Sequence, residues 1–217
     1  MPLRVVLLGP PASGKGTQGR RLADAAKVDY LSTGALLREA IENGSPLGLE
    51  VKPILDRGGY VPDELMCSIL GEWLEQHSGG CVLDGFPRSL PQAEFLDEWL
   101  SARGTKLDRV IALEVPLDEL LRRIAGRVEC PECRWTGQVS QLGADQLCPV
   151  CHGVVGRRED DDLENFRSRH AAYLRYTLPL IGYYESRGCL IHCDATASVD
   201  EVALSIRDLF FPAGPLS

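Results

Sequence analysis

Four short apolar runs, each bounded by turn-forming or polar residues, recur along the chain. They cover residues 3–8, 81–84, 109–115 and 188–193. Runs of this length that are rich in Val, Ile and Leu predict buried β-strands. The sequence between them has a helical pattern, beginning with residues 15–26 directly after a Gly- and Pro-rich turn. Strands that alternate with helices predict an α/β fold, in which helices cover both faces of a parallel sheet.

Two segments interrupt this alternation and are predicted to be inserts. Residues 32–61 are helical and punctuated by Gly, whereas residues 127–161 contain four Cys and many turn formers. We therefore expect one core domain formed by residues 1–31, 62–126 and 162–217, which carries both inserts. The last residues, 212–217, are expected to fray.

Composition and charge narrow the class of protein. Apolar residues make up 44% of the 217, enough for a core that needs no disulfides. The formal net charge of −8 argues against a nucleic-acid binder with a broad basic surface. The apolar run after Met1 is too short for a secretory signal or a membrane span. We therefore expect a cytoplasmic monomer, whose eight Cys serve as metal ligands and core thiols.

A Gly-rich loop joins the first predicted strand to the first predicted helix. Residues 9–17, GPPASGKGT, have the G-x4-G-K spacing that is typical of phosphate-binding loops. Glycines let successive backbone N–H groups turn toward one anion, and the helix N-terminus adds partial positive charge. Lys15 would place a point charge on the β- and γ-phosphates, and Thr17 would offer a hydroxyl to the phosphate-bound Mg²⁺. Gly16 departs from the pattern, since Ser or Thr usually follows the Lys.

A carboxylate and an arginine follow the predicted strand at residues 81–84. In an open α/β sheet, ligands collect at the carboxyl ends of the strands. Asp84 is therefore a candidate to orient water on Mg²⁺, with a structural role in capping the next turn as the alternative. Arg88 lies just beyond it.

Further arginines suggest a cationic clamp. Arg123 and Arg127 are four residues apart on a helix predicted to start at about residue 117, so they are expected to share one face. Arg158 and Arg169 follow the Cys-rich segment. Each group alone is also explained by helix-end or solvated surface charge. Together they suit phosphoryl transfer, which needs in-line positioning and charge stabilisation more than covalent chemistry.

The four Cys of the second insert form two C-x2-C pairs. Cys130 and Cys133 are separated from Cys148 and Cys151 by 14 residues, the spacing of a four-thiolate zinc site built from two knuckles. With no open coordination position, the site is predicted to be structural. Disulfide pairing, replacement of one Cys by His152, and redox sensing are the alternatives.

In their order along the chain, these motifs resemble the adenylate kinase family. The stretches that carry the resemblance are residues 9–18, STGALLR at 32–38, DGFPR at 84–88 with PQA at 91–93, RIAGR at 123–127, residues 158–169 and PLIGYY at 179–184. The resemblance implies a five-stranded parallel core of the P-loop kinase fold and two mobile inserts. The first insert would bind AMP, and the second would close over ATP as a zinc-binding lid.

The resemblance also implies roles for individual residues. Those expected to contact AMP are Thr33, Arg38, Gly59, Tyr60, Val61, Gly85, Phe86, Pro87, Arg88, Gln92, Arg158 and Arg169. Those expected to bind ATP are Ala12, Ser13, Gly14, Lys15, Gly16, Thr17, Arg127 and Ala197. Those expected to surround the transferring phosphoryl group are Lys15, Arg88, Arg123, Arg158 and Arg169, with Asp84 near Mg²⁺. Asp160 and Asp161 resemble the family's acidic pair near the lid hinge.

Three positions depart from the pattern of the family. Ala35 stands where Asp is common, and Ala12 replaces a common Gly of the loop. In the lid, the family usually offers aromatic or aliphatic residues to the base where this chain has RWTG at 134–137, so Trp135 is our candidate to stack on the adenine of ATP. Thr33 and Gln92 favour AMP as acceptor, since a Gln amide can donate to and accept from adenine together.

The expected reaction is transfer of a phosphoryl group from Mg-ATP to AMP, giving two ADP. A kinase of the same fold with another acceptor or with GTP as donor is one alternative. A zinc-ribbon binding protein with a nucleotide switch is another, but residues 128–156 are locally acidic and unsuited to nucleic acid.

Overall fold

A computed structural model describes residues 2–158 and 161–211. Asp160 and the tail expected to fray, residues 212–217, lie outside this range. The strands are β1 (Arg4–Leu8), β2 (Asp29–Ser32), β3 (Cys81–Asp84), β4 (Arg109–Glu114), β5 (Arg127–Glu129), β6 (Thr136–Gln138) and β7 (Leu190–Asp194). The α-helices are α1 (Lys15–Ala26), α2 (Thr33–Glu42), α3 (Pro46–Leu55), α4 (Asp63–Gln76), α5 (Leu90–Ser101), α6 (Leu117–Ala125), α7 (Leu163–Ala172), α8 (Leu180–Glu185) and α9 (Val199–Asp208). None of the helices in the described ranges is long and apolar enough to cross a membrane.

Five strands form one parallel sheet in the order β2-β3-β1-β4-β7. The central strand β1 pairs with β3, where Leu7 lies opposite Asp84, and with β4, where Leu8 lies opposite Ala112. The carboxyl ends of these strands therefore meet at one edge of the sheet. The P-loop fold expected from the sequence is confirmed.

Alternate side chains of β1 enter opposite cores. Val5 and Leu7 pack in the cluster that includes Leu22 of α1 and Ile206 of α9. Val6 and Leu8 pack on the other face, in the cluster that spans α4, α5 and α8. These four side chains are at most 2% exposed. Successive side chains of a strand point to opposite faces, so both faces of β1 are covered. A continuous apolar run was the sequence signal for this arrangement.

The first insert region contains α2 and α3, packed against each other at close range. A Cβ at Gly48 would lie 2.0 Å from the carbonyl oxygen of Ala40, so only glycine permits this approach. Ser32 and Ser45 cap the two helices by accepting from Ala35 N at 3.4 Å and Gly48 N at 3.0 Å. In the second insert region, β5 and β6 form an antiparallel pair.

The sequence prediction differs from the structure at two elements. The strand β2 was not found from the hydrophobic pattern, because its sequence DYLS contains one fully buried residue, Leu31. The prediction that Arg127 lies on the same helix as Arg123 is wrong, because Arg127 is the first residue of β5. Gly126 ends α6, and glycine is a poor helix former that commonly terminates helices.

Candidate active site

The candidate phosphate loop runs from the end of β1 into α1 and folds around its own lysine. Lys15 Nζ donates to the carbonyl oxygens of Gly9 and Pro10, at 2.8 Å each. Gly14, with φ +97°, turns the chain into α1, whose first N–H groups lack a helical partner and suit an anion. Ala12 has φ +65°, a conformation that costs a non-glycine residue about 1–2 kcal/mol. The departure at Ala12 therefore carries a backbone cost that Gly at this position would avoid.

Burial and neighbouring charges determine the protonation of Lys15. Burial is the main cause that lowers the pKa of Lys15 to about 8. The charges of Arg88, Arg169 and Arg127 also lower this pKa, whereas that of Asp84 raises it. Four predicted cationic side chains thus act on one another in a common space. A bound phosphate would relieve their repulsion and favour the charged amine.

Arg123 is held between the phosphate loop and the loop that follows β7. Its Nη2 donates to Ala195 O at 2.7 Å, and its Nη1 donates to Ser13 O at 3.4 Å. Glu119, one turn earlier on α6, accepts from Arg123 Nε at 2.7 Å. Glu119 is not among the residues predicted for the site, although a Glu four residues before an Arg is a typical helical ion pair.

Asp161 binds a predicted arginine of the second insert region. Its side chain has no exposed surface and accepts from both Nε and Nη2 of Arg127. Arg169 of α7 lies 4.0 Å from the same carboxylate. The two hydrogen bonds fix the orientation of the Arg127 guanidinium, and loss of Asp161 would leave its charge uncompensated.

Arg158 and Arg88 are also held in place. Arg158 Nε lies 3.3 Å from a carboxylate oxygen of Glu129. Arg88 Nε donates to Gly85 O at 2.8 Å, and its guanidinium lies 4.8 Å from the centroid of the Tyr60 ring. A guanidinium over an aromatic face is stabilised by the ring quadrupole.

Asp84 ends β3 with its carboxylate near the first turn of α1. Tyr30, on the neighbouring β2, donates to Asp84 Oδ2 at 2.9 Å. Burial and then the charge of Asp84 raise the pKa of Tyr30, so its hydroxyl stays protonated. A Cβ at Gly16 would lie 3.6 Å from the same carboxylate oxygen. Asp84 therefore faces the residue that follows Lys15. Its polar partner Tyr30 belongs to none of the motifs in the sequence.

Two residues predicted to contact AMP are buried beside the cleft. Thr33 and Gln92 are each 2% exposed, and Thr33 Oγ1 donates to Gly85 O at 2.9 Å. Gln92 Oε1 accepts from Arg88 N at 2.8 Å, while its Nε2 donates to Asp63 Oδ1 at 2.7 Å. A base that reached Gln92 would find one amide hydrogen and one lone pair left.

The site residues surround one cleft of about 970 Å³ at the carboxyl edge of the sheet. The predicted site residues in its wall are Ala12, Ser13, Gly14, Lys15, Gly16, Thr17, Arg38, Tyr60, Asp84, Gly85, Pro87, Arg88, Arg123, Arg127, Arg158, Arg169 and Ala197. The predicted residues that do not line it are Thr33, Gly59, Val61, Phe86 and Gln92. Trp135 also lines the cleft, and a Cβ at Gly137 would lie 2.3 Å from its ring carbons. The indole ring thus rests directly on the β6 backbone.

The four Cys of the second insert region lie together. The Sγ atoms of Cys130, Cys133, Cys148 and Cys151 are all within 4.8 Å of one another. The shortest separations, 3.4 Å and 3.5 Å, far exceed a disulfide bond of about 2.05 Å. They are near the spacing of about 3.8 Å between sulfurs around a tetrahedral zinc with Zn–S bonds of about 2.3 Å. The donor set therefore fits a zinc ion.

The two knuckles that supply these thiols share one backbone geometry. Arg134 N donates to Cys130 O and His152 N donates to Cys148 O, both at 2.9 Å. Arg134 and His152 have φ +59° and +61°, the left-handed turn that brings each C-x2-C pair together. His152 therefore contributes a turn to the site, while the thiols come from the four Cys.

The fold and this cleft define a class of protein. A phosphate loop at the carboxyl edge of a parallel sheet, faced by several arginines across one cleft, is typical of P-loop nucleotide kinases. The family model described as Adenylate kinase matches residues 7–189. The chain belongs to the adenylate kinase family, as its motifs predicted.

Curated relatives match over most of their length. An adenylate kinase of Thermodesulfovibrio yellowstonii is 41% identical over 208 residues, which cover 94% of this chain and 97% of the relative. That of Streptomyces coelicolor is 42% identical over 205 residues, with coverage of 92% and 94%. That of Carboxydothermus hydrogenoformans is 39% identical over 210 residues, with coverage of 95% and 98%.

Proposed function

We propose that the protein catalyses the reversible transfer of a phosphoryl group from Mg-ATP to AMP, giving two ADP. The observation that carries this proposal is the convergence of Lys15 with arginines from β3–α5, β5 and α7 on one cleft. Among the described residues that line this cleft there is no His or Cys. An acceptor that is already an ionised phosphate oxygen needs no general base, so these cations suffice for the chemistry.

The donor nucleotide would lie along the phosphate loop. Backbone N–H groups of residues 12–17 and the Lys15 amine would bind its phosphates, with Arg127 as a further cation. Ala197, on the loop that Arg123 contacts through Ala195, would lie near the adenine. Trp135 would stack on the base from the opposite wall.

The acceptor would bind on the side of α2 and α3. Arg38 and Arg88 line this part of the cleft together with Tyr60 and would hold the monophosphate. Thr33 and Gln92 would meet the adenine, which requires the first insert to move, since both are buried in this structure. The protein would therefore consist of a core domain that carries two mobile inserts.

The residues next to the phosphate loop fit a magnesium ion bound to the phosphates. Thr17 and Asp84 line the same cleft, and Asp84 faces Gly16 of the loop. A hydroxyl and a carboxylate are the hard oxygen donors that Mg²⁺ prefers. When bound with ATP, the ion would neutralise charge on the β- and γ-phosphates. Thr17 would contact it directly, and Asp84 would orient its water.

The cluster of four Cys would hold one zinc ion with a structural role. Its thiols fill a tetrahedral set and leave no open position. The ion would fix the shape of a segment whose Val150 and Val154 are 64% and 72% exposed and which therefore has little core of its own.

The test is the formation of ADP from ATP with a panel of monophosphates. With AMP, CMP, UMP and GMP compared in one assay at equal concentration, AMP is expected to give the highest kcat/KM. Replacement of ATP by GTP in the same assay settles the donor. A preference for CMP or UMP would favour the related kinase with another acceptor, and no ADP from ATP and AMP would refute the proposal.

A further inference from the structure

The hydroxyl of Tyr30 is bound to the carboxylate that faces the phosphate loop. Tyr30 lies on β2 opposite Val82 of β3, two residues before Asp84. Its hydroxyl donates to Asp84 Oδ2 at 2.9 Å, and both side chains line the cleft. A donor on one carboxylate oxygen restricts rotation about the Cβ–Cγ bond of Asp84. The second carboxylate oxygen therefore also has a defined orientation.

Helix α1 is shaped to receive the Tyr30 ring. A Cβ at Gly19 would lie 2.7 Å from Tyr30 Cε2, closer than packed carbon atoms allow, so the ring rests on bare backbone. Gly16, one turn earlier, has its Cβ position 3.6 Å from Tyr30 Oη. The Arg20 guanidinium lies 5.1 Å from the ring centroid. The aromatic ring has few rotatable bonds, and this packing fixes where its hydroxyl points.

Asp84 differs from the other acidic side chains in the described wall of the cleft. Glu119 is bound by Arg122 and Arg123, and Glu129 lies 3.3 Å from Arg158. Asp24 is exposed near the end of α1. Asp84 combines a position next to Gly16 with a neutral hydrogen-bond donor. A neutral donor orients the carboxylate without neutralising its charge.

We propose that Tyr30 is a positioning residue, which holds Asp84 in the orientation needed to act on the magnesium–phosphate complex. The inference rests on the proposed function, because Asp84 there orients a water on the ion bound to ATP. Tyr30 itself touches neither nucleotide. It acts through Asp84, and the two side chains form one unit.

The test compares Tyr30→Phe with Tyr183→Phe. Tyr30→Phe removes only the hydroxyl that donates a hydrogen bond to Asp84. The second removes a Tyr–Asp hydrogen bond of similar length, since Tyr183 donates to Asp97 Oδ2 at 2.8 Å away from the cleft wall. Tyr30→Phe is expected to lower kcat about 10-fold, the lower range for a lost hydrogen bond to a charged group. The KM for AMP should stay unchanged, because the lost contact acts on the magnesium–ATP side, and Tyr183→Phe should keep the kcat of the unmodified protein.

A readout without turnover separates positioning from simple stabilisation. The rise in Tm caused by ATP is measured with Mg²⁺ and with EDTA, and the difference is the magnesium-dependent part of ATP binding. This difference is expected to shrink in Tyr30→Phe and to be retained in Tyr183→Phe. The proposal would be overturned if Tyr30→Phe kept both the wild-type kcat and the wild-type magnesium-dependent part of the rise in Tm.

The double variant with Asp84→Asn tests whether the two residues act as one unit. If Tyr30 works through Asp84, the double variant has the same kcat as Asp84→Asn alone. Independent effects that multiply would overturn the proposal. The Tm measurement needs only ATP and Mg²⁺, so it tests Tyr30 even if AMP proves not to be the acceptor and the proposed function fails.

Discussion

Arg134 of the first cysteine knuckle forms a two-armed ion pair with Glu42 at the last residue of α2. Its Nη1 and Nη2 each donate to one of the two carboxylate oxygens of Glu42. The guanidinium lowers the pKa of Glu42, chiefly through these hydrogen bonds. The pair joins α2 to the first cysteine knuckle. If these segments move as the proposed inserts, the pair would stabilise the conformation in which they are in contact.

Glu42→Gln is expected to shift the protein toward open conformations. An exposed ion pair contributes about 0.2–1 kcal/mol, so the closed-to-open ratio should fall about 1.5- to 5-fold in dilute buffer. Single-molecule energy transfer between unnatural amino acids in α2 and the knuckle measures this ratio. The effect should vanish near 1 M salt, where the Debye length is about 3 Å.

Asp56→Asn is the matched control for this experiment. Asp56, the residue that follows α3, pairs with Lys52 of α3 at 3.1 Å, and both side chains are more than half exposed. This variant removes the same kind of charge from the same insert without touching the knuckle. An equal shift in both variants would show that net charge, and not the pair with Arg134, controls closure.

The Lys15→Ala variant is expected to lose about 10²–10³ in kcat, by analogy with removal of one donor to a developing charge. Lys15 is the amine that the loop carbonyls hold at 2.8 Å. Lys106→Ala, an exposed lysine outside the cleft wall, is the control. A coupled ADP assay measures both. A Lys15→Ala enzyme with near wild-type turnover would contradict the role of this amine.

Binding of ATP is expected to take up a proton at alkaline pH. In the free protein the pKa of Lys15 is about 8, so the amine becomes neutral as the pH rises through this value. Bound phosphates favour the charged amine and raise its pKa toward the ordinary value of about 10.4. Proton uptake should therefore increase from pH ~7 to ~9. Calorimetry in two buffers of different ionisation enthalpy measures it, and uptake that is independent of pH would contradict the prediction.

Cys148→Ser is expected to reduce the zinc content from about one ion per chain to near zero, because a structural site needs all four ligands. The second insert should then become sensitive to protease, while far-ultraviolet circular dichroism keeps most of the signal of the core. Cys67→Ser, outside the metal cluster, should retain the ion. Full zinc content in Cys148→Ser would mean that another ligand set holds it.

Gly137→Ala is expected to weaken ATP binding by displacing Trp135. The added methyl group would lie 2.3 Å from the indole ring, and stacking of a base on an aromatic ring is worth about 1–3 kcal/mol. The KM for ATP should therefore rise about fivefold or more. Gly156→Ala is the control, because a Cβ there meets nothing within 4 Å. Equal KM values in the two variants would remove Trp135 from the base site.

The sequence predicted those parts of the fold and site that local pattern determines. Helix α1 has the predicted bounds, and the phosphate loop and four-Cys cluster lie where their spacing placed them. The strand β2 was missed because it is a four-residue edge strand with mostly half-buried or exposed side chains. The error at Arg127 came from extending a helical period through Gly126.

Contacts between distant segments could not be predicted in the same way. The pairs Tyr30–Asp84 and Glu42–Arg134 join residues 54 and 92 positions apart. Each depends on which side chains the strand order and the inserts bring together. Neither periodicity nor motif spacing predicts such pairs, because no motif in the sequence contains both partners.

A zinc ion bound by the cysteine cluster, as proposed above, would separate the folding of the protein into two stages. The sheet is held by its own apolar side chains, whereas the proposed ion would draw together the thiols of Cys130 and Cys148 from the two knuckles. A newly made chain could therefore fold the sheet before the cysteine segment takes its final shape. Without metal, such partly folded molecules would accumulate, so the supply of metal would limit the yield of completely folded protein.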